Sequence, residues 1–187
     1  LKITSDGFEI EFAQLMAGHS LGEYTALCAS GSLSLSDTAR LLHIRGQAMQ
    51  ACVENGEGTM AVILGLSANQ IQDILDNYSG LGVCAIANDN DPTQVVISGH
   101  SFAVEKVIEL AKESGARRAL PLKVSAPFHC QIMQPASNIM KDALSSVAIS
   151  IPKIPVVMNT RAVAVNDPKE IRCILVDQIT GTVRWRE

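Results

Sequence analysis

The sequence predicts an α/β chain in which a small βαββαβ unit is set into a larger α/β body. Three observations carry this prediction. Between residues 54 and 126, apolar strand-like runs and amphipathic helical segments follow one another as β-α-β-β-α-β, the split-βαβ or ferredoxin-like order. Upstream, Gly18-His19-Ser20-Leu21-Gly22 follows a brief apolar lead-in and precedes a helix of small residues, the strand–turn–helix setting of a G-x-S-x-G elbow. Downstream, from Pro127, the pattern returns to helix, short strand and helix.

Composition narrows the function classes. The chain has 187 residues, room for one domain or one domain with an insert. At 47% apolar and 18% charged residues it has a core to bury and is not a solvated, disordered chain. Fifteen Lys and Arg against 19 Asp and Glu leave a net charge of −4, with aromatics at 4%, which argues against wrapping nucleic acid or stacking single strands. No apolar run approaches the ~18 residues of a membrane span. The first residues lack the basic and apolar regions of a signal peptide, and there is no initiator Met, so the sequence reads as starting within a longer protein. The five cysteines (Cys28, Cys52, Cys84, Cys130 and Cys173) are odd in number and form no C-x-x-C pair. They read as reduced thiols of a cytoplasmic protein, not a disulfide framework or a zinc site.

Element by element, Ile3–Leu15 is expected as loop with a short helical piece, and Leu15–Gly18 as the lead-in to the elbow. Glu23–Ser30 is helix-compatible and Gly31 ends it. Ser36 and Asp37 signal the start of a second helix reaching about Cys52, with Leu41, Leu42, Arg45, Met49 and Cys52 near one face. Gly56 and Gly58 open the small unit. Strands are expected at Met60–Leu66, Val83–Asn88, Gln94–Ser98 and Arg118–Val124, with a turn at Asp89–Pro92 where Asn, Asp and Pro cluster. Helices are expected at Ser67–Tyr78, capped by Ser67, and at Ser101–Ser114, stopped by Gly115. Beyond Pro127, a helix over Gln131–Val147, a strand over Val156–Asn159 and a helix over Lys169–Thr180, with Pro168 in its first turn, complete the pattern.

The elbow motif needs small residues two before and two after the serine, because side chains there would collide in the sharp turn that pushes the hydroxyl outward. The following helix points its N-terminus at the reacting oxygen and favours developing negative charge. The same five residues also suit a Gly-flanked turn with a capping serine, and the pattern alone does not choose. A serine nucleophile needs a base. His19 abuts the serine and should point away; His43 and His100 read as helix-flank and turn residues. His129, in Ala126-Pro127-Phe128-His129-Cys130, lies where the small unit returns to the large one, and such junctions form clefts. A capping or core histidine has the same spacing.

Four ordered segments add a resemblance: Gly18-His19-Ser20-Leu21-Gly22-Glu23-Tyr24, Ile44-Arg45-Gly46-Gln47-Ala48-Met49-Gln50, Ala126-Pro127-Phe128-His129, and Gln178-Ile179-Thr180-Gly181-Thr182-Val183-Arg184-Trp185. Together they resemble the motifs of malonyl-CoA:acyl-carrier-protein transacylases, over nearly the whole chain from about Ala17. The resemblance implies an α/β-hydrolase-like large subdomain (residues 1–53 and 127–187) carrying an inserted ferredoxin-like small subdomain (54–126). It implies Ser20 as acylated nucleophile, His129 as general base, and Arg45 as partner of the malonyl carboxylate. Gln178 matches the residue whose backbone carbonyl orients the base. Leu21 matches the backbone N–H donor to the oxyanion. Met49 matches a pocket wall, and Phe128 sits in the small-Phe-His pattern associated with malonyl units. The implied reaction is ping-pong transfer of malonyl from malonyl-CoA to the phosphopantetheine thiol of acyl-carrier protein, for fatty-acid biosynthesis, by a cytoplasmic monomer with no cofactor and no metal. Arg117, Arg118, Lys123 and Lys141 are the candidate docking cations for an acidic carrier.

The family's Gly-Gln-Gly-Ser-Gln segment, whose glutamine supplies a second oxyanion donor, has no counterpart here, nor does the strand and helix that follow Trp185-Arg186-Glu187. A fragment open at both ends is therefore expected. Two other functions fit part of the pattern. A serine hydrolase or thioesterase would need an acidic third member, for which Asp89 and Asp91 are the candidates between Ser20 and His129. A folded but catalytically incomplete fragment of the transacylase is the other.

Overall fold

The computed structural model describes residues 13–54 and 56–187. The loop expected over Ile3–Leu15 lies outside the described residues up to position 12. The elbow's lead-in is a two-residue strand, β1 (Met16–Ala17), running parallel to β6 (Val156–Met158), with Met16 opposite Val156. An antiparallel strand, β7 (Val163–Val165), completes this sheet in the order β1-β6-β7. Around it pack α1 (Gly22–Ala29), α2 (Leu35–Gln50), α5 (Gln134–Ser145) and α6 (Pro168–Asp177). Their shared core includes Tyr24, Leu27, Leu41, Met140, Met158 and Ile171, all fully buried. Burial of each such aliphatic side chain contributes roughly 1.5–3 kcal/mol.

Helix boundaries follow local chemistry. The cap of α2 is Ser34 rather than Ser36 or Asp37. Ser34 holds the extended backbone a cap requires, and its hydroxyl accepts the Asp37 N–H at 3.0 Å. Asp37 sits in the first turn, where a carboxylate favours the positive end of the helix. The helix expected over Gln131–Val147 is divided: a 3-10 turn, Gln131–Met133, precedes α5. Pro135 is the cause, since a residue without N–H fits only the first turn of an α-helix. At α6, Asp167 caps through the Lys169 N–H at 2.9 Å. This helix stops at Asp177, three residues before the expected end, so Gln178 becomes its cap.

The second sheet holds β2 (Gly58–Leu64), β3 (Cys84–Asp91), β4 (Gln94–His100) and β5 (Arg118–Pro121), in the order β5-β2-β4-β3 with every pair antiparallel. With α3 (Ala68–Asp76) and α4 (Ser101–Glu113) this is the ferredoxin-like arrangement. Ser67 and Gln70 form a full capping box at α3. Ile63, Ile71, Ile97, Val104 and Val107 make a separate core between the helices and the sheet. Strand β5 ends early, at Pro121, which has no N–H for the ladder.

Besides these and the unexpected strand β7, two further features differ from expectation. Asp89–Pro92 is not the turn: β3 runs on to Asp91, bulging between Ile86 and Asn88 and again between Asp89 and Asp91. The polar residues stay in the strand because they have partners there. Asp89 is buried against the Arg186 guanidinium (2.8–3.1 Å), while Asp91 accepts the Thr93 N–H and hydroxyl. The second difference is a fifth strand, β8 (Val183–Arg184), which pairs parallel with β3. It ties the last residues of the chain to the small sheet, beside the elbow. Among the described residues, no helix is long and apolar enough to cross a membrane.

Candidate active site

The elbow stands at the end of β1. Ser20 has φ of 53°, a left-handed conformation that costs a non-glycine residue energy and persists only where its surroundings enforce it. One side chain does so. The Asn159 amide, just past β6, accepts the Ser20 N–H at 2.7 Å through Oδ1 and donates to the Gly18 carbonyl at 2.8 Å through Nδ2. Glycine at 18 is a steric requirement, because a Cβ there would lie 1.9 Å from the Gly22 carbonyl oxygen. Gly22 differs: its Cβ would meet nothing within 4 Å among the described residues, so the need for smallness lies on one side of the serine. Gly18→Ala is expected to destabilise the fold by more than about 2 kcal/mol, since backbone must move to admit it. Denaturant unfolding checks this, and a midpoint equal to wild type would contradict it.

His129 faces the serine, also from a left-handed position, with φ of 60°. The Ser20 hydroxyl lies 2.7 Å from His129 Nε2, and His129 Nδ1 lies 2.9 Å from the Gln178 backbone oxygen. A carbonyl only accepts, so Nδ1 carries the proton and Nε2 is left to accept from the hydroxyl. Burial, and next the positive charge of Arg45, push the imidazole pKa down to about 4, so the ring is a neutral base near pH 7. Asp89 and Asp91 are committed to Arg186 and Thr93 and are not hydrogen-bonded to His129. Among the described residues the His129 ring is thus oriented by a carbonyl, not by a carboxylate.

Arg45 enters from α2. Its Nη2 donates to Ser20 Oγ at 3.1 Å and to Gln178 Oε1 at 3.2 Å. The guanidinium is buried and has no ion-pair partner among the described residues. Its Nε is buried without any hydrogen-bond partner. A buried cation holding unused donors is arranged to receive an anion. Leu21 turns its side chain to solvent, and its N–H, at the start of α1, meets no acceptor among the described residues. Gln178 touches the site three times, through its backbone oxygen on His129 and through its side chain on Arg45 and on the Ser20 carbonyl. Phe128 is half-buried and packs against the large core and against a small cluster of Met60, Ala87 and Val96. Met49 lies fully buried in the large core. Arg117, Arg118, Lys123 and Lys141 are exposed.

Several site residues were not singled out from sequence. Asn159 is one; its only signal is a polar residue closing an apolar parallel strand, the end of a strand where α/β sites form. Glu23 is another. It reads as an ordinary acidic residue in a helix's first turn, yet it is fully buried, accepting from the Asn159 N–H at 2.6 Å and from Gln178 Nε2. His19 points away from the base, to Asn90 at 2.9 Å, with the Trp185 ring 5.2 Å from its own. Among the described residues no three His, Cys, Asp or Glu side chains converge as a metal site.

The family model for the acyl transferase domain matches residues 5–187. The chain belongs to the acyl transferase family. Among its relatives, the malonyl CoA-acyl carrier protein transacylase of Bacillus subtilis (strain 168) is 42% identical over 172 residues, 91% of this chain and 54% of the relative. That of Escherichia coli (strain K12) is 41% identical over 171 residues, 91% of this chain and 55% of the relative. The crystal structure of the acyl-carrier-protein-S-malonyltransferase from Bartonella henselae superposes with a TM-score of 0.91 at 50% identity, over 96% of this chain and 57% of that one. A malonyl-transacylase solved in complex with its type II PKS acyl-carrier protein gives 0.89 at 40% identity, over 92% and 56%. This acyl transferase chain therefore spans about half the length of the curated relatives it matches.

Proposed function

We propose that the protein transfers a malonyl group from coenzyme A to the phosphopantetheine thiol of an acyl-carrier protein, through a malonyl ester on Ser20, in fatty-acid biosynthesis. One observation carries this: a serine hydroxyl held by a neutral, carbonyl-oriented histidine stands beside a buried arginine that has no direct ion-pair partner among the described residues. The names of the relatives, malonyl CoA-acyl carrier protein transacylases at 41–42% identity, support the same substrates.

In the first half-reaction Ser20 Oγ attacks the thioester carbonyl as its proton passes to His129 Nε2. The negative charge that develops on the carbonyl oxygen meets the Leu21 N–H at the α1 N-terminus. Collapse breaks the C–S bond, and His129 returns the proton to the departing thiolate. In the second half the carrier thiol gives its proton to His129 and attacks the ester, and Ser20 leaves with that proton. The malonyl carboxylate pairs with Arg45 throughout, while Phe128 and Met49 bound the acyl space. The catalytic groups come from the proposed large subdomain (1–53 and 127–187), and the proposed small one (54–126) brings Asn90 against His19, next to the nucleophile in sequence. The protein is proposed to act as a monomer in the cytoplasm. The exposed cations Arg117, Arg118, Lys123 and Lys141 are the proposed contacts for an acidic carrier.

Arg45→Ala tests the assignment of malonyl. It removes a charge-assisted pair worth roughly 1.5–3 kcal/mol, so malonyl transfer should fall about 10- to 100-fold relative to acetyl transfer. Rates of Ser20 acylation from malonyl-CoA and acetyl-CoA measure the ratio. An equal loss for both would show that Arg45 supports the structure without selecting the acyl group.

A further inference from the structure

We propose that Glu23 is a positioning residue for the transfer, its buried carboxylate holding the two amides, Asn159 and Gln178, that set Ser20, His129 and Arg45 in place. This rests on the acyl-transfer function above. Glu23 lies behind the elbow on the first turn of α1; its backbone N–H donates to the Ser20 carbonyl at 3.0 Å, while its carboxylate touches neither the nucleophilic hydroxyl nor the base. One of its oxygens accepts the Asn159 N–H at 2.6 Å and the other accepts from Gln178 Nε2. Asn159 in turn grips the elbow on both sides, at the Ser20 N–H and the Gly18 carbonyl. Gln178 donates to the Ser20 carbonyl at 2.9 Å, accepts from Arg45, and holds His129 through its backbone oxygen. Nucleophile, base and acyl-selecting cation each hang on an amide that this one carboxylate anchors.

The chemistry at position 23 is specific. Two N–H donors converge on Glu23, one at each oxygen, and the ionised carboxylate accepts at both corners at full strength. An amide turns a donor toward one of those N–H groups and breaks that bond, and the protonated acid weakens it, because its hydroxyl oxygen is a poorer acceptor and carries a proton that needs its own partner. Yet the site penalises ionisation: burial pushes the Glu23 pKa up to about 7, against the two hydrogen bonds and the charge of Arg45. Among the described residues, the ionisable groups coupled to it are Arg45 from α2 and Tyr24 from its own helix, and His129 is linked to it through Gln178. The end of β6 and the turn after α6 bring the amides. His129 titrates near 4, well below Glu23, so the two are separable. As pH falls through about 7, Glu23 takes a proton and holds one amide less tightly while the base is still neutral.

The test uses the complete natural polypeptide, with Glu23→Gln and Glu23→Asp, and three readouts from pH 5.5 to 9: Ser20 acylation by malonyl-CoA, by acetyl-CoA, and phosphonylation by a fluorophosphonate. In wild type, all three rates are expected to fall below about pH 7. Glu23→Gln should be 10- to 100-fold slower at pH 8, lack that limb, and lose part of its preference for malonyl as Arg45 loses a fixed neighbour. Glu23→Asp, one methylene short, should be slowed less and keep the limb. A Glu23→Gln rate within twofold of wild type, or a limb that persists in it, overturns the proposal. If Glu23→Gln does not fold, Glu23→Asp decides, and a wild-type rate and pH profile in that variant overturns it. Wild type that is phosphonylated but never malonylated would refute the transfer function alone, and the phosphonylation rates of the variants would still decide the role of Glu23.

Discussion

Ser20→Ala is expected to leave a folded protein that forms no malonyl adduct, with transfer reduced roughly 10⁴- to 10⁶-fold. The substitution removes one atom. Alanine keeps the Cβ and therefore the same cost at a φ of 53°, and the backbone bonds of Ser20, its N–H to Asn159 and its carbonyl to Gln178, do not involve the hydroxyl. What disappears is the hydroxyl that lies 2.7 Å from His129 Nε2 and 3.1 Å from Arg45 Nη2. No other hydroxyl is hydrogen-bonded to either group among the described residues. Loss of these bonds costs stability on the order of 1 kcal/mol, too little to unfold a domain. Intact mass after brief exposure to malonyl-CoA reads the result. A malonyl adduct that survives in Ser20→Ala would assign the nucleophile to another residue.

Much of the frame around that serine is written locally. The capping box of Ser67 and Gln70, the short apolar runs of β2 and β4, and the helical spacing in α4 are each set by residues close together in sequence, and the βαββαβ order follows from reading them in turn. The elbow was legible for the same reason, since Gly18, Ser20 and Gly22 sit in one turn. What was not legible depends on partners far along the chain. Strand β8 exists because Val183 and Arg184 find β3, nearly a hundred residues earlier, and neither looks like a strand by itself. Asp89 stays in β3 instead of turning because Arg186 neutralises it. Arg45 and Gln178 are unremarkable helix residues until the fold puts them 3.2 Å apart beside Ser20, and only the family resemblance marked them beforehand. Glu23 fell inside a quoted motif and Asn159 at a strand end, but neither was given a role, because complete burial of a carboxylate in a first turn is set by what packs over it.

His129→Ala carries the second large effect, a loss of roughly 10³- to 10⁶-fold in the rate of Ser20 acylation. The mechanism of the loss fixes the pH signature. In wild type the ring is held near a pKa of 4, so it remains a competent base across neutral pH and adds no acid limb above about pH 5. Without the ring, the hydroxyl must lose its proton to solvent before attack. Arg45 still stabilises the alkoxide at 3.1 Å, so the residual rate should climb about tenfold per pH unit over the neutral range. Stability should move with pH in a related way. The folded-state pKa of His129 lies below the usual 6.5, so its contribution is fully present above about pH 6.5 and is lost as pH falls toward 4. His129→Ala lacks that dependence and should lose less stability than wild type between those two pH values, although it starts lower because the Gln178 carbonyl is left without its donor. Acylation rates and denaturant midpoints from pH 4 to 9 provide both readouts. A variant that acylates within tenfold of wild type would place the base elsewhere, and a flat residual rate would show that something other than solvent takes the proton.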